Sequence, residues 1–175
     1  MVYEMSFKTI SNGKGEKYNP NDVILTPVNI AKKIISWLPL KPFETVLDPF
    51  YGTGNFYDNF PPDVIKDYTE IMFGKDFFKY EKHVDWIISN PPYSKYTEVM
   101  NHSYKIADNI VYLIPLNKVV SSWGRVKDLQ RFGGIYKMWI MPASKCGFPF
   151  GFPACACWFK KGYKGPVNYE IEDLK

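Results

Sequence analysis

The most constraining feature of this 175-residue chain is a pair of apolar runs, each ending in a residue able to do chemistry. The first is Thr45-Val46-Leu47, with Asp48 at its end and a turn containing Gly52 and Gly54 behind it. The second runs from Val84 to Ser89 and stops at Asn90, where Pro91-Pro92 breaks it. Both read as short buried strands, because compact apolar runs bounded by turn formers suit strands covered on both faces. A strand passing through a glycine turn towards a helix is a unit of open α/β sheets. Such sheets bind ligands beyond the carboxyl ends of their strands.

The rest of the chain extends this pattern. Residues 11–22 are rich in Gly, Asn and Pro and read as a loop. Thr26-Pro27 predicts a helix start, with Thr as cap and Pro in the first helical position. Ile30, Ile34 and Leu38 would form its buried stripe, and Pro39 and Pro42 would end it. Residues 55–62 leave room only for a short helix before Pro61-Pro62, and a strand follows near 64–71. Tyr96 to Ala107 predicts a helix with Val99, Ser103 and Ile106 facing inward. Ile110 to Ile114 and 135–141 predict strands, the latter preceded by Gly133-Gly134. A Gly-, Pro- and Phe-rich loop at 142–153 leads to a closing strand at 154–160. Strand–helix alternation up to 114 predicts a mostly parallel α/β sheet with helices on both faces. The last two strands have no room for a crossover helix and should form a C-terminal antiparallel hairpin. One domain over 1–175 is expected, without repeats and without a separate target-recognition domain.

Composition narrows the partners. The net charge of +4 is unevenly spread. Residues 117–165 hold nine Lys/Arg and only Asp128 as an acid, which fits either a polyanionic partner or a solvated face. Aromatics make up 18% of the chain, enough to build a core of large residues and also to offer flat surfaces to bases. Cys146, Cys155 and Cys157 make no disulfide framework and no zinc-site spacing, so no metal is expected. Cys155 and Cys157 should share one strand face. No apolar stretch or leader pattern suggests a membrane, and a cytoplasmic protein is expected.

Asp48-Pro49-Phe50-Tyr51-Gly52-Thr53-Gly54 resembles the methionine-binding loop of class I methyltransferases, which have a Rossmann-like fold. Asn90-Pro91-Pro92-Tyr93 resembles the catalytic motif of N6-adenine DNA methyltransferases. Thr26-Pro27 resembles a further cofactor-side motif in members with this motif order. The resemblance covers residues 18–115 in detail. It implies S-adenosyl-L-methionine as cofactor and methyl transfer to the N6 amine of adenine in DNA, as in restriction–modification. On the same ground Tyr18 and Thr26 would close over the cofactor, Pro49 and Phe50 would line it, Asp76 would meet its adenine amine, and Phe77 would lie near the ring.

The residues also support a physical reading. Gly52 and Gly54 permit close approach of a ligand, and the Asp48 carboxylate would favour a cationic methionine moiety over phosphates. Glu70 is the preferred acid for the ribose hydroxyls, with Asp67 as competitor, because Ile71 and Met72 would pack beside the cofactor adenine. A ring-conjugated amine is a poor nucleophile. The Asn90 side-chain oxygen and the Pro91 carbonyl could each accept one of its hydrogens, favouring a tetrahedral nitrogen. Tyr93 could stack on the base, while Pro91 and Pro92 stiffen the site. The base would have to be flipped out or single-stranded. Phe148, Phe150 and Phe152 could pack against it or simply close the core. Asn117, Lys118, Arg125, Lys127 and Arg131 are candidates for substrate contact. The alternatives are an RNA adenine or guanine amino methyltransferase, a protein glutamine N5-methyltransferase, and a non-catalytic subunit of a methyltransferase complex. A protein partner could supply sequence recognition.

Overall fold

The computed structural model describes residues 11–12, 16–17, 24–149 and 151–173. Within the expected 11–22 loop, Ser11–Asn12 (β1) and Glu16–Lys17 (β2) pair as a small antiparallel ribbon. Helix α1 (Val28–Ser36) follows, then β3 (Thr45–Asp48), β4 (Ile65–Tyr68), β5 (Val84–Ser89), α2 (Tyr96–Ile106), β6 (Ala107–Pro115), α3 (Trp123–Phe132), β7 (Gly133–Met141), β8 (Ala154–Lys161) and β9 (Asn168–Ile171).

Strands β3 to β9 form one seven-stranded sheet in the order β4-β3-β5-β6-β8-β7-β9. Strands β4, β3, β5 and β6 pair in parallel. Strand β8 is antiparallel to both its neighbours, and β9 is parallel to β7. The sheet is therefore mostly parallel with the expected β7–β8 hairpin, a Rossmann-like class I methyltransferase arrangement.

Pleating sorts the side chains. Val46, Trp86, Ile88, Val111, Leu113 and Trp158 point to the face covered by Ile30 and Ile34 of α1. Leu47, Ile87, Ile110, Tyr112, Cys155 and Cys157 point to the opposite face, against Val99 and Ile106 of α2 and Leu129 and Phe132 of α3. The cysteines are buried and unbonded, and 155 and 157 share a face as their spacing requires.

Several expectations need correction. Thr26 does not cap α1. Pro27 holds the N-cap position, and its carbonyl accepts from the Ile30 and Ala31 N–H groups at 3.0 Å. The helix ends at Ser36, so Leu38 is buried just beyond it. The strand near 64–71 is shorter, Ile65–Tyr68. Between β3 and β4 there is only a 3-10 turn at Tyr57–Asn59, and between β4 and β5 only two more, at Ile71–Phe73 and Phe77–Lys79. Two elements had no counterpart in the sequence reading: α3, which buries only Leu129 and Phe132, and β9, which is exposed along its length.

This topology locates the site. Strand β3 lies between β4 and β5, so the chain leaves β3 towards one side and returns on the other. The carboxyl ends of β3 and β5 flank that switch point, where open α/β sheets leave a crevice.

Candidate functional site

Strand β3 delivers Asp48 to the switch point. Its carboxylate is fully buried, and its Oδ1 accepts from the Ser89 hydroxyl at 2.6 Å and the Phe50 N–H at 3.3 Å. Its Oδ2 has no hydrogen-bond partner among the described residues. Burial pushes the acid up to about 7, with repulsion from Glu70 adding, while the Ser89 and Phe50 hydrogen bonds oppose the rise. A buried acid with a spare oxygen favours a neighbouring cation.

The glycine loop wraps behind it. Gly52 and Gly54 have φ of 55° and 82°, left-handed values that a side chain adopts only with strain. A Cβ on Gly54 would also lie 2.7 Å from the Tyr51 hydroxyl and the Asp58 carboxylate. The loop is tied to the end of β4. The Tyr51 N–H donates to the Thr69 carbonyl at 3.2 Å, and the Thr69 hydroxyl donates to the carbonyl of buried Pro49 at 2.7 Å.

Glu70 reaches the same loop. Its Oε2 accepts from the Gly52 N–H at 2.9 Å, and its Oε1 accepts from the Met72 N–H at 3.1 Å. Asp67, the competing acid, turns instead to the Tyr80 hydroxyl at 3.1 Å and lies 3.9 Å from Lys82. Of the two acids, Glu70 is the one on the loop. Asp76 caps the following turn by accepting from the Phe78 N–H at 3.0 Å. Phe77 is buried, with its ring centroid 5.2 Å from Phe50 and 4.8 Å from His102. The short Glu70-to-Asp76 interval contains the Ile71–Phe73 turn rather than a crossover helix, which leaves Ile71, Met72 and Phe73 exposed beside the loop.

Strand β5 delivers Asn90. The Asn90 Nδ2 donates to the Ile24 carbonyl at 2.9 Å and the Thr26 hydroxyl at 3.2 Å. These two acceptors define which end of the amide is nitrogen. Its Oδ1 accepts from the Tyr93 hydroxyl at 2.5 Å, and that hydroxyl also lies 3.2 Å from the Leu113 carbonyl. Pro91 is buried and Pro92 half-buried at the turn between them. Thr26 thus serves Asn90 rather than α1. The Thr26 carbonyl in turn accepts from the Asn55 side chain at 2.8 Å, so residues 24–27 strap the glycine loop to the Asn-Pro-Pro-Tyr turn.

The remaining candidates divide. Phe148 is buried edge-on against Tyr93 at 5.7 Å, while Phe152 is exposed. Asn117 is exposed and Lys118 half-buried in the turn after β6, on the same end of the sheet as Asp48 and Asn90. Arg125, in the first turn of α3, packs against the start of α2. Its Nε donates to the Thr97 hydroxyl at 3.0 Å, and its guanidinium stands 5.1 Å from the Tyr96 ring centroid. Tyr18 and Phe150 lie outside the described residues.

The basic carboxyl-terminal segment is less available than its composition suggests. Arg131 pairs with Asp128, Lys137 with Glu170, Lys145 with Glu172 and Lys161 with Asp108. Lys160 lies over the Tyr136 and Trp158 rings, and Lys164 donates to backbone carbonyls of Gln130 and Gly133. Lys160 and Lys161 also sit at the end of β8 remote from the site, where β8 pairs with the start of β6.

Two contributors escaped the sequence reading. Ser89 carries no sequence signal of a role, because a small polar residue at a strand end is unremarkable until its partner is known. Asn55, directly after Gly54, could have been flagged as a side chain able to bond backbone at a helix-poor turn.

No protein-family model and no curated protein matches the sequence. Solved structures do match in fold. A Listeria monocytogenes protein assigned to the class I S-adenosylmethionine-dependent methyltransferases superposes with a TM-score of 0.66 at 14% identity, over 88% of this chain and 67% of that one. The methyltransferase subunit of a Streptococcus thermophilus type I restriction–modification system gives 0.63 at 16% identity, over 85% of this chain and 47% of that one. A Pyrococcus horikoshii protein assigned as an RNA methyltransferase gives 0.60 at 14% identity, over 82% of this chain and 91% of that one. This chain therefore spans about half of the type I subunit and most of the Pyrococcus protein. At these identities the likeness establishes the class I methyltransferase fold.

Proposed function

We propose that this chain transfers a methyl group from S-adenosyl-L-methionine to a ring-conjugated amine, the N6 amine of adenine in DNA. The observation that carries the reading is the convergence of two half-sites on one switch point. The glycine loop with Asp48 and Glu70 ends β3 and β4. The Asn90 turn ends the adjacent β5.

The cofactor half fits a cationic ligand. Asp48 has an unmatched buried oxygen, and ammonium and sulfonium charges at the loop would favour its ionised form. Glu70 would take the ribose hydroxyls, exchanging its hold on Gly52. Asp76 and Phe77 would meet the adenine, with Pro49, Phe50, Thr26 and Tyr18 around the cofactor. When bound, S-adenosyl-L-methionine supplies an electrophilic methyl group.

The target half fits an amine. A carbonyl oxygen has two acceptor directions, so Asn90 Oδ1 can take an amine hydrogen beside, or in place of, the Tyr93 hydroxyl. The Pro91 carbonyl would take the second hydrogen. Both acceptors stabilise the positive charge that grows on the nitrogen as its lone pair forms the new bond. The proton can leave afterwards, so no strong base is needed. Tyr93 would stack on the base. Asn117, Lys118, Arg125 and the 148–152 aromatics, Phe148 and Phe150 among them, would meet the nucleic acid, and a protein partner would supply sequence recognition.

RNA is the second reading, favoured by the close size match to the Pyrococcus protein. A labelled-methyl assay on duplex DNA, single-stranded DNA, RNA and protein separates these readings. N6-methyladenine in DNA is the expected product, and label found solely in RNA or protein would refute the DNA assignment. Asn90→Ala should lower the rate at least a hundredfold. Retained methylation in that variant would sink the mechanism.

A further inference from the structure

We propose that Ser89 is a positioning residue for the cofactor, holding the Asp48 carboxylate from the neighbouring strand; the inference rests on the reading of Asp48 as a cofactor-side acid. Ser89 is the last residue of β5 and is wholly buried. Its hydroxyl donates to Asp48 Oδ1 at 2.6 Å, across 41 residues of sequence. Ser103, the other wholly buried serine among the described residues, behaves differently. It bonds the Val99 carbonyl one helical turn back, as helical serines commonly do, and shares a hydrogen bond with the Tyr112 hydroxyl. Ser89 directs its hydroxyl proton to an acid instead.

The consequence is a division of labour within one carboxylate. Oδ1 is held by Ser89 and the Phe50 N–H, and Oδ2 has no hydrogen-bond partner among the described residues. Rotating the carboxylate would break its shortest bond. The titratable groups around it are Glu70 at the end of β4, Tyr51 in the glycine loop and Tyr112 of β6, none of them cationic. Ser89 and the backbone N–H groups of Phe50 and Tyr57 are therefore what favours the ionised acid before a ligand arrives, and Ser89 is the one side chain among them. Ser89 is also joined by one peptide bond to Asn90, whose amide is held by Ile24 and Thr26. The cofactor acid and the target acceptor are thus positioned by consecutive residues of one strand end.

Calorimetric titration of S-adenosyl-L-methionine into wild-type and Ser89→Ala protein tests this without turnover. Losing the hydroxyl should move the ionisation of Asp48 up by about one pH unit. The variant should then bind about tenfold more weakly near pH ~6.5 and within about twofold of wild type near pH ~9. Ser89→Cys fills the space with a poor donor and should match Ser89→Ala, whereas Ser89→Thr should restore the wild-type profile. A loss equal at both pH values, or none, overturns the inference. Thermal denaturation of the cofactor-free protein is an independent arm. Wild-type stability should fall as pH rises towards the Asp48 ionisation near 7, and in Ser89→Ala the fall should continue about one pH unit higher. Identical curves overturn the role of Ser89. A wild-type protein that binds no S-adenosyl-L-methionine, but shows the shifted curve, overturns the cofactor reading and leaves the Ser89–Asp48 coupling in place.

Discussion

Asp48 is held at a cost that pH can expose. Its acid is raised to about 7 by burial, against an ordinary value of 3.8. A raised acid binds its proton more tightly in the folded than in the unfolded chain. Its contribution to stability is therefore fully present below the unfolded value and lost as pH rises through the folded one. The expected window is about pH 4 to 7, and the change is on the order of a few kcal/mol. Asp85, Glu170 and Glu172 are shifted downward, so their contributions are lost only in more acidic solution. Asp48→Asn should flatten the melting temperature between about pH 5 and 7, and a slope matching wild type would show that the acid is not buried as described. At Tyr93 the ring and the hydroxyl separate. Tyr93→Phe keeps a stacking surface and releases Asn90 Oδ1, so methylation should stay within about tenfold of wild type. Tyr93→Ala should fall by about a hundredfold, measured as initial rates on the same substrate.

At the scale of elements, the turn entering β3 carries removable strain. The Glu44 N–H donates to the Lys41 carbonyl at 3.2 Å, closing a turn with Pro42 and Phe43 in its centre. Phe43 has φ of 67° and is 80% exposed, so a glycine-type position is filled by an aromatic that buries little. Phe43→Gly should stabilise the protein by about 1 kcal/mol, seen as a rise of a few degrees in melting temperature. Elements were legible in the sequence where burial wrote them. Val84 to Ser89 is apolar because β5 lies inside the sheet, and Val99, Ser103 and Ile106 recur because α2 buries one face. Helix α3 was hidden because only Leu129 and Phe132 are buried, and β9 because an exposed edge strand needs no apolar pattern. The same division holds in the site. Asp48, the two glycines and Asn90 stand out through their local context. The Thr26–Asn90 and Ser89–Asp48 pairs did not, since a hydrogen bond across 64 or 41 residues leaves no local trace.

At the scale of the whole molecule, charge is spent mostly on the protein itself. Of the nine basic residues between 117 and 165, four are in ion pairs and three more are engaged by backbone carbonyls, hydroxyls or aromatic rings. Lys118 and Lys127 remain without an ion pair among the described residues. Electrostatic affinity for nucleic acid should therefore be modest, with log K falling against log salt with a slope of about −2 to −3. Lys118→Glu with Lys127→Glu should weaken binding severalfold, whereas Lys160→Glu with Lys161→Glu should leave it nearly unchanged. Fluorescence anisotropy across a salt series distinguishes these, and equal losses in both pairs would place the contact surface elsewhere.

The strap before α1 has a chemical consequence of its own. An amide offers a donor at one end and an acceptor at the other. In this chain Ile24 and Thr26 consume the donor end of Asn90. What remains is the oxygen, which accepts from the Tyr93 hydroxyl and keeps a second acceptor direction for a visitor. A nucleobase presenting an exocyclic carbonyl would bring oxygen against oxygen and be repelled, while one presenting an exocyclic NH2 group would be received. On the proposed reading, discrimination between keto and amino bases would be set by Ile24 and Thr26, the residues that fix the orientation of the Asn90 amide.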